Sequence, residues 1–238
     1  MDGGITGGSF TPGNTSPPKF NRVLSLFNLK GKTSIVTGAD RGIGLAVAKA
    51  LAEAGSNVAI WYNSQDSAHD RASEIEKEFG VKCNTILSEV GPAADRATGK
   101  AYQVDVTSHD QVHEVTDKVV QEFNGRLDIF IANAGIPWTQ GAMLTGEVSH
   151  YRKVLEIDVD GVWYCARAAG AIWRRQAEKG TDIHGNKLEN YRYGSFVATG
   201  SMSGHIVNFP QLQTAYNAAK AAVIHMCMSG LKSWSCYC

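Results

Sequence analysis

Two short clusters in the sequence are able to do chemistry. The first is Thr37-Gly38-Ala39-Asp40-Arg41-Gly42-Ile43-Gly44, between a β-prone run and an Ala/Leu-rich stretch. Glycines at a strand-to-helix turn let the backbone bend tightly and approach a pyrophosphate, which rests on the positive end of the following helix. The spacing G-x-x-x-G-x-G differs from the common G-x-G-x-x-G dinucleotide fingerprint, so a plain glycine turn stands as the alternative. The second cluster is Tyr216-Asn217-Ala218-Ala219-Lys220, which places a phenol and an ammonium four residues apart, on one helix face. A free phenol of this kind has a pKa of about 10, and acid–base work at neutral pH asks for a shift worth about 4 kcal/mol. An ammonium about 4 Å away supplies that much at an effective dielectric near 20. The pair therefore suits general acid–base catalysis, with an exposed helix pair as the plainer reading.

The glycine loop also predicts which dinucleotide it takes. An NAD site wants an acid at the end of the second strand, where it binds the ribose 2′-hydroxyl. Here that position reads Tyr62-Asn63-Ser64, with no acid. Arg41 in the loop can meet a 2′-phosphate, which an acid would repel, so NADP(H) is favoured over NAD; a solvated surface arginine is the alternative.

The elements that must position these groups follow from the apolar pattern. Thr33–Thr37 and Asn57–Tyr62 read as strands, with the stretch after the glycine loop as a helix that ends at Gly55. Asp66–Phe79 and Gln111–Phe123 read as helices, Ala101–Val106 and Leu127–Ala132 as strands. Ser149–Glu178 reads as one long helical segment, Ser195–Thr199 as a strand and Thr214–Gly230 as a helix. Strands alternating with helices predict right-handed crossovers and a doubly wound α/β parallel sheet of Rossmann type, in a domain over 29–238. Residues 1–28, rich in Gly, Pro, Ser and Thr, read as a flexible tail, with Val23–Leu29 docking on the domain.

Two segments break the rhythm. Connections in such units take about 2–6 residues, whereas Phe79 and Ala101 are much further apart, and Asn84–Gly99 has no clear period. Removing Asn84–Gly99 joins VKC to KAYQVDV as one strand, so the segment reads as an insertion, of the kind a retained intron would leave. Residues 229–238 offer no strand or helix that could finish a sheet.

The balance of the chain excludes several classes. It has 238 residues, formal net charge zero and 43% hydrophobic residues, which suits one globular core and argues against nucleic acid or anionic lipid as partner. Five cysteines without C-x-x-C spacing read as free thiols in a cytoplasmic protein, not as a disulfide framework or a metal site. His109, His113 and Glu114 share a helix start but lack a further ligand at sensible spacing, so no metal is expected. No apolar run is long enough to predict a membrane span, and no secretory signal is expected at the N-terminus.

In order and spacing, TGADRGIG, Asp105-Val106, Asn133-Ala134-Gly135 and YNAAK resemble the short-chain dehydrogenase/reductase family. The resemblance implies a Rossmann-type domain in which the loop residues Gly38, Arg41, Ile43 and Gly44 bind the cofactor, with Asn63 and Ser64 at the ribose. It implies that Asp105 and Val106 contact the adenine and that Asn133, Ala134 and Gly135 line the cleft. The family's serine stands thirteen residues before the tyrosine, which is Ser203 here. By resemblance Ser203 hydrogen-bonds a substrate carbonyl, Tyr216 protonates it, and Lys220 holds the nicotinamide ribose. The family's relay asparagine is replaced by Asp158, whose charge would alter the relay. Longer stretches, among them VAIWYNS and KLENYRYGSFVATGSMSGHIVNFPQLQTAYNAAKAAVIH, are similar to fungal NADP-dependent mannitol 2-dehydrogenases, sorbose reductases and L-xylulose reductases, over Val23–Cys83 and Lys100–Cys227. The implied substrate is a small sugar or polyol, and the implied assembly a homo-oligomer. Family members continue into two further strands and a lid, which the resemblance does not find here. The expected function is reduction of a ketose to its polyol. A noncatalytic NADP-binding fragment and a reductase of 3-ketoacyl groups are the alternatives.

Overall fold

The computed structural model describes residues 26–64, 67–79 and 99–234. Five parallel strands form one sheet in the order β3-β2-β1-β4-β5: β1 Thr33–Thr37, β2 Asn57–Tyr62, β3 Gly99–Gln103, β4 Ile129–Ala132 and β5 Ser195–Ala198. Every residue of β1 and β2 is buried, as expected of strands covered on both faces. Their side chains split by alternation. Ile35, Ala59, Trp61, Phe130 and Ala132 point to one layer; Val36, Val58, Ile60, Tyr62 and Ile131 point to the other. Helices α1 (Gly42–Glu53) and α2 (Ser67–Glu78) cover the second layer through Ala48, Ala52, Ala72 and Ile75. Helices α3 (His109–Glu122) and α5 (Gly161–Lys179) cover the first through Val112, Val119, Cys165, Ala169 and Trp173. Helix α6 (Thr214–Trp234) adds Val223 to that layer, and its Ala215 and Ala219 pack with Trp138 and with Val154 of α4 (Val148–Leu155).

The boundaries differ from the sequence reading at informative places. The third strand begins at Gly99, which pairs opposite Val58 although it reads as part of the insertion; residues 84–98 lie outside the described residues. That strand ends at Gln103, after which Val104 still donates its N–H to the Tyr62 carbonyl (2.8 Å) and the chain turns away. The fourth strand starts at Ile129 because the backbone of Leu127 is already engaged. Its N–H donates to Gln176 Oε1 (2.8 Å), and its carbonyl accepts from Gln176 Nε2 (2.8 Å) and Trp173 Nε1 (3.1 Å). The long helical segment is three pieces: α4, a π-helical turn over Glu156–Asp160, and α5. Helix α6 runs on to Trp234, past the Gly230 expected as its end, so 231–234 is helical where no element was expected. Of the expected N-terminal tail only its end is described, and the Leu29 N–H docks on the Ala54 carbonyl at 2.8 Å.

Candidate active site

The strand order fixes where a ligand can sit. From β1 the chain winds outward through β2 and β3, then returns to β4 and β5 on the other side. At that reversal the connections leave β1 and β4 in opposite directions, opening a crevice at their carboxyl ends. A cleft of about 530 Å³ lies there.

Its floor is a tied junction between the glycine loop and the end of β4. Thr37 Oγ1 accepts from the backbone N–H groups of both Asn133 and Ala134, each at 2.9 Å. Asn133 Nδ2 in turn donates to the carbonyls of Thr37 (3.1 Å) and Gly38 (3.2 Å). Gly38 has φ +60°, and a Cβ at Gly44 would run into the Gly38 carbonyl oxygen and come within 2.6 Å of Asn133 Nδ2. The start of α1 can press on the loop only because Gly44 is glycine. Gly44 is thus behind the cleft wall, whereas Gly38, Arg41 and Ile43 line it.

The mouth of α1 suits an anion. Arg41 occupies the N-cap position with extended backbone, no side chain caps the helix, and its first turn holds no acid. The first N–H groups and the positive end of the helix dipole therefore face the cleft, with Asp40 just before the N-cap as an acid on the same loop. The Arg41 side chain is 76% exposed, and its nearest acid, Asp40, is 3.9 Å away. Asn63 and Ser64 at the end of β2, and Asp105 and Val106 beyond β3, line the same end of the cleft. Gln103 Nε2 holds the Asn63 carbonyl at 2.9 Å, and Asp105 Oδ1 accepts from Thr107 N (2.9 Å) and Oγ1 (2.7 Å). These bonds fix a rim where neither strand continues.

At the other end stand Tyr216, Lys220 and Asp158, all lining the cleft. Tyr216 and Lys220 share a face of α6, with Lys220 Nζ 5.4 Å from the centre of the Tyr216 ring. The ammonium is buried and donates to the Thr199 carbonyl at 3.1 Å. It also lies 3.1 Å from Asp158 Oδ2, a buried ion-pair contact. Asp158 sits in the π-helical turn with its side chain fully buried, and its Oδ1 accepts the Ile136 N–H at 2.8 Å. Burial pushes the Asp158 carboxyl above the ordinary aspartate range, against the Ile136 N–H and the Lys220 charge, which pull it down. Gly135 makes room for it, since a Cβ there would stand 2.9 Å from Oδ2. The half-buried Tyr216 thus stands at the cleft with two buried groups, Lys220 and Asp158.

Ser203 is placed differently. It lies in a 3₁₀ turn, Met202–Gly204, and is buried, but it is not among the residues that line the cleft. Its hydroxyl accepts from Gln213 Nε2 (2.7 Å) and Asn208 Nδ2 (3.0 Å). Sequence reasoning gave no role to Thr37, within the glycine cluster, or to Thr199, which join the two ends of the site. Thr199 Oγ1 donates to Asn133 Oδ1 at 3.1 Å, while its carbonyl takes the Lys220 ammonium. Their signal was positional: each stands at the carboxyl end of a strand, or just beyond it, where open parallel sheets bind ligands.

A family model described as enoyl-(acyl carrier protein) reductase matches residues 38–230. The chain is 53% identical over 228 residues to an L-xylulose reductase of Hypocrea jecorina, covering 96% of this chain and 74% of that one. The chain belongs to the short-chain dehydrogenase/reductase family. A probable NADP-dependent mannitol dehydrogenase of Yarrowia lipolytica is 42% identical over 94% of this chain and 70% of its own length. Among solved structures, the NADPH-dependent 3-quinuclidinone reductase of Rhodotorula rubra superposes with a TM-score of 0.76 at 34% identity. It matches 95% of this chain and 73% of that one. Within this short-chain dehydrogenase/reductase, no helix among the described residues is long and apolar enough to cross a membrane.

Proposed function

We propose that the protein is an NADP(H)-dependent oxidoreductase that interconverts a ketose and its polyol. The observation that carries this reading is a single cleft lined at one end by the glycine loop with Arg41 and at the other by Tyr216 and Lys220. The relatives' names support the cofactor and the substrate class: an L-xylulose reductase, a probable NADP-dependent mannitol dehydrogenase and a sorbose reductase. The bound dinucleotide supplies the hydride. The chain's share is position and electrostatics. The N–H groups at the start of α1 and the loop backbone at Gly38 receive the pyrophosphate, and Arg41 with Ser64 receives the 2′-phosphate. Asn63, Asp105 and Val106 hold the adenosine, and Asn133, Ala134 and Gly135 shape the wall beside the nicotinamide. Lys220 binds the ribose, Tyr216 donates its phenolic proton to the carbonyl oxygen as the alcohol forms, and Ser203 donates a hydrogen bond to that oxygen. Asp158, 3.1 Å from Lys220, stands in place of a neutral relay group.

Replacing Tyr216 by Phe tests this assignment. Ketose reduction falls by about 10²-fold or more, while NADPH binding stays near the wild-type value. An unchanged rate would remove Tyr216 from the mechanism. A substrate panel of fructose, sorbose, xylulose and 3-ketoacyl compounds separates the sugar reading from acyl reduction. The protein is further proposed to act as a homo-oligomer. Of the two tryptophans on α5, Trp173 belongs to the core, whereas Trp163 is 49% exposed and open to a subunit contact.

A further inference from the structure

The Ser203 hydroxyl stands in an unusual hydrogen-bond environment. A hydroxyl offers one donor and two acceptor lone pairs. Both acceptor positions are taken by side-chain amides, Gln213 Nε2 at 2.7 Å and Asn208 Nδ2 at 3.0 Å. Among the described residues no group accepts the hydroxyl hydrogen. The turn itself is hydrogen-bonded: the Ser203 N–H donates to Ser201 Oγ at 3.1 Å, and the Gly204 N–H to the Ser201 carbonyl at 3.0 Å. Gln213 is itself buried and precedes α6, where its carbonyl accepts the Asn217 N–H at 2.9 Å. It thus links the serine turn to the helix that carries Tyr216 and Lys220.

We propose that Gln213 and Asn208 are positioning residues that form a donor clamp, filling both lone pairs of Ser203 so that its hydrogen is reserved for the substrate carbonyl oxygen. A serine free to turn divides its time between donating and accepting, and only the donating rotamer stabilises charge that develops on oxygen. Two amide donors remove the accepting rotamers. They also polarise the O–H bond, which strengthens its donation. The clamp rests on the reading of Ser203 as a carbonyl-binding group, and its test separates the two claims.

Gln213→Glu keeps the size and inverts the hydrogen bonding, because a carboxylate only accepts and will take the Ser203 hydrogen. Gln213→Leu removes the donor without supplying an acceptor. The clamp predicts that Gln213→Glu lowers kcat for ketose reduction by about 10²-fold at pH 8 and leaves NADPH affinity unchanged. Gln213→Leu should lose clearly less. Lowering the pH protonates the introduced carboxylate, restores a donor and narrows the gap between the two variants. Tyr216, Lys220, Asp158 and His205 are common to both, so their rate ratio isolates the new carboxyl. Equal losses for both at every pH, or a Gln213→Glu rate within threefold of wild type, would overturn the clamp. A second arm does not depend on turnover: in ¹⁵N-labelled protein, Ser203→Ala must shift the side-chain NH₂ signals of Gln213 and Asn208 and speed their exchange. Unmoved signals would overturn the clamp as well. Moved signals in a protein with no ketose activity would leave the clamp standing and refute the functional reading.

Discussion

Asp158 decides how charge is arranged in the site. Its carboxyl is fully buried, with one backbone N–H on Oδ1 and the Lys220 ammonium 3.1 Å from Oδ2. Burial disfavours the ionised form more than these two neighbours favour it, so the folded protein holds this proton to a higher pH than the unfolded chain does. The folded state then binds more protons over that interval, and stability falls as pH rises through it. The contribution is fully present below the ordinary aspartate value near 4 and lost as pH passes the raised value. Asp158→Asn keeps an acceptor for Ile136 and removes the titration. The melting temperature of wild type minus that of Asp158→Asn should therefore be greatest near pH 4 and decline toward pH 7. Thermal unfolding at half-unit pH steps measures it. A difference that rises with pH would mean that Lys220 outweighs burial and that the carboxyl ionises early.

At the scale of elements, the approach to β4 is tied to α5 through the backbone of Leu127. The buried Gln176 amide both donates to and accepts from the backbone of Leu127, at 2.8 Å each way. In Gln176→Leu the carbonyl keeps Trp173, but the Leu127 N–H loses its acceptor. A buried unsatisfied donor costs about 1–3 kcal/mol, which in a domain of this size lowers Tm by several degrees. Calorimetry should show that drop with a normal NADPH-induced shift, since Leu127 lies at the end of β4 away from the cleft. The same contact explains a limit of sequence reading. Leu127 is apolar and continues the run of β4, so alternation assigns it to the strand; only the tertiary partner on α5 removes it. The π-helical turn was equally hidden, because a one-residue shift in the phase of the apolar face still reads as continuous helix. It nevertheless rotates Asp158 under Lys220. What was legible rested on local rules. The β-prone runs, the glycine loop and the Y-x-x-x-K spacing each depend on neighbours in sequence, and each stands in the structure at its expected element. The clamp on Ser203 could not be read that way, since Gln213 has many acceptors within reach in an unfolded chain.

For the whole molecule, the cleft is built from both halves of the sheet. Gly38 and Asn63 come from the ends of β1 and β2, Asn133 and Thr199 from the ends of β4 and β5, and Lys220 from α6. The β5 side is the less covered half: Val197 is 47% exposed, and Ile206, Val207 and Phe209 are exposed beyond it. A dinucleotide in the cleft would touch both halves and bind only when they are assembled, so it should stabilise the fold as a whole. At 100 times the dissociation constant the gain is about 2.7 kcal/mol, a rise in Tm of several degrees. The 2′-phosphate gives the selectivity. NADPH should raise Tm by that amount, and NADH at equal concentration by much less. Arg41→Ala should weaken NADPH by about tenfold, the modest value expected of an exposed charge-assisted contact, and leave NADH unchanged. Thermal titrations of wild type and Arg41→Ala with both nucleotides supply the four curves. Equal shifts by NADPH and NADH in the wild type would show that the cleft does not select the 2′-phosphate. A shift by NADPH that survives Arg41→Ala undiminished would place it on Ser64 and the backbone of the β2 rim instead.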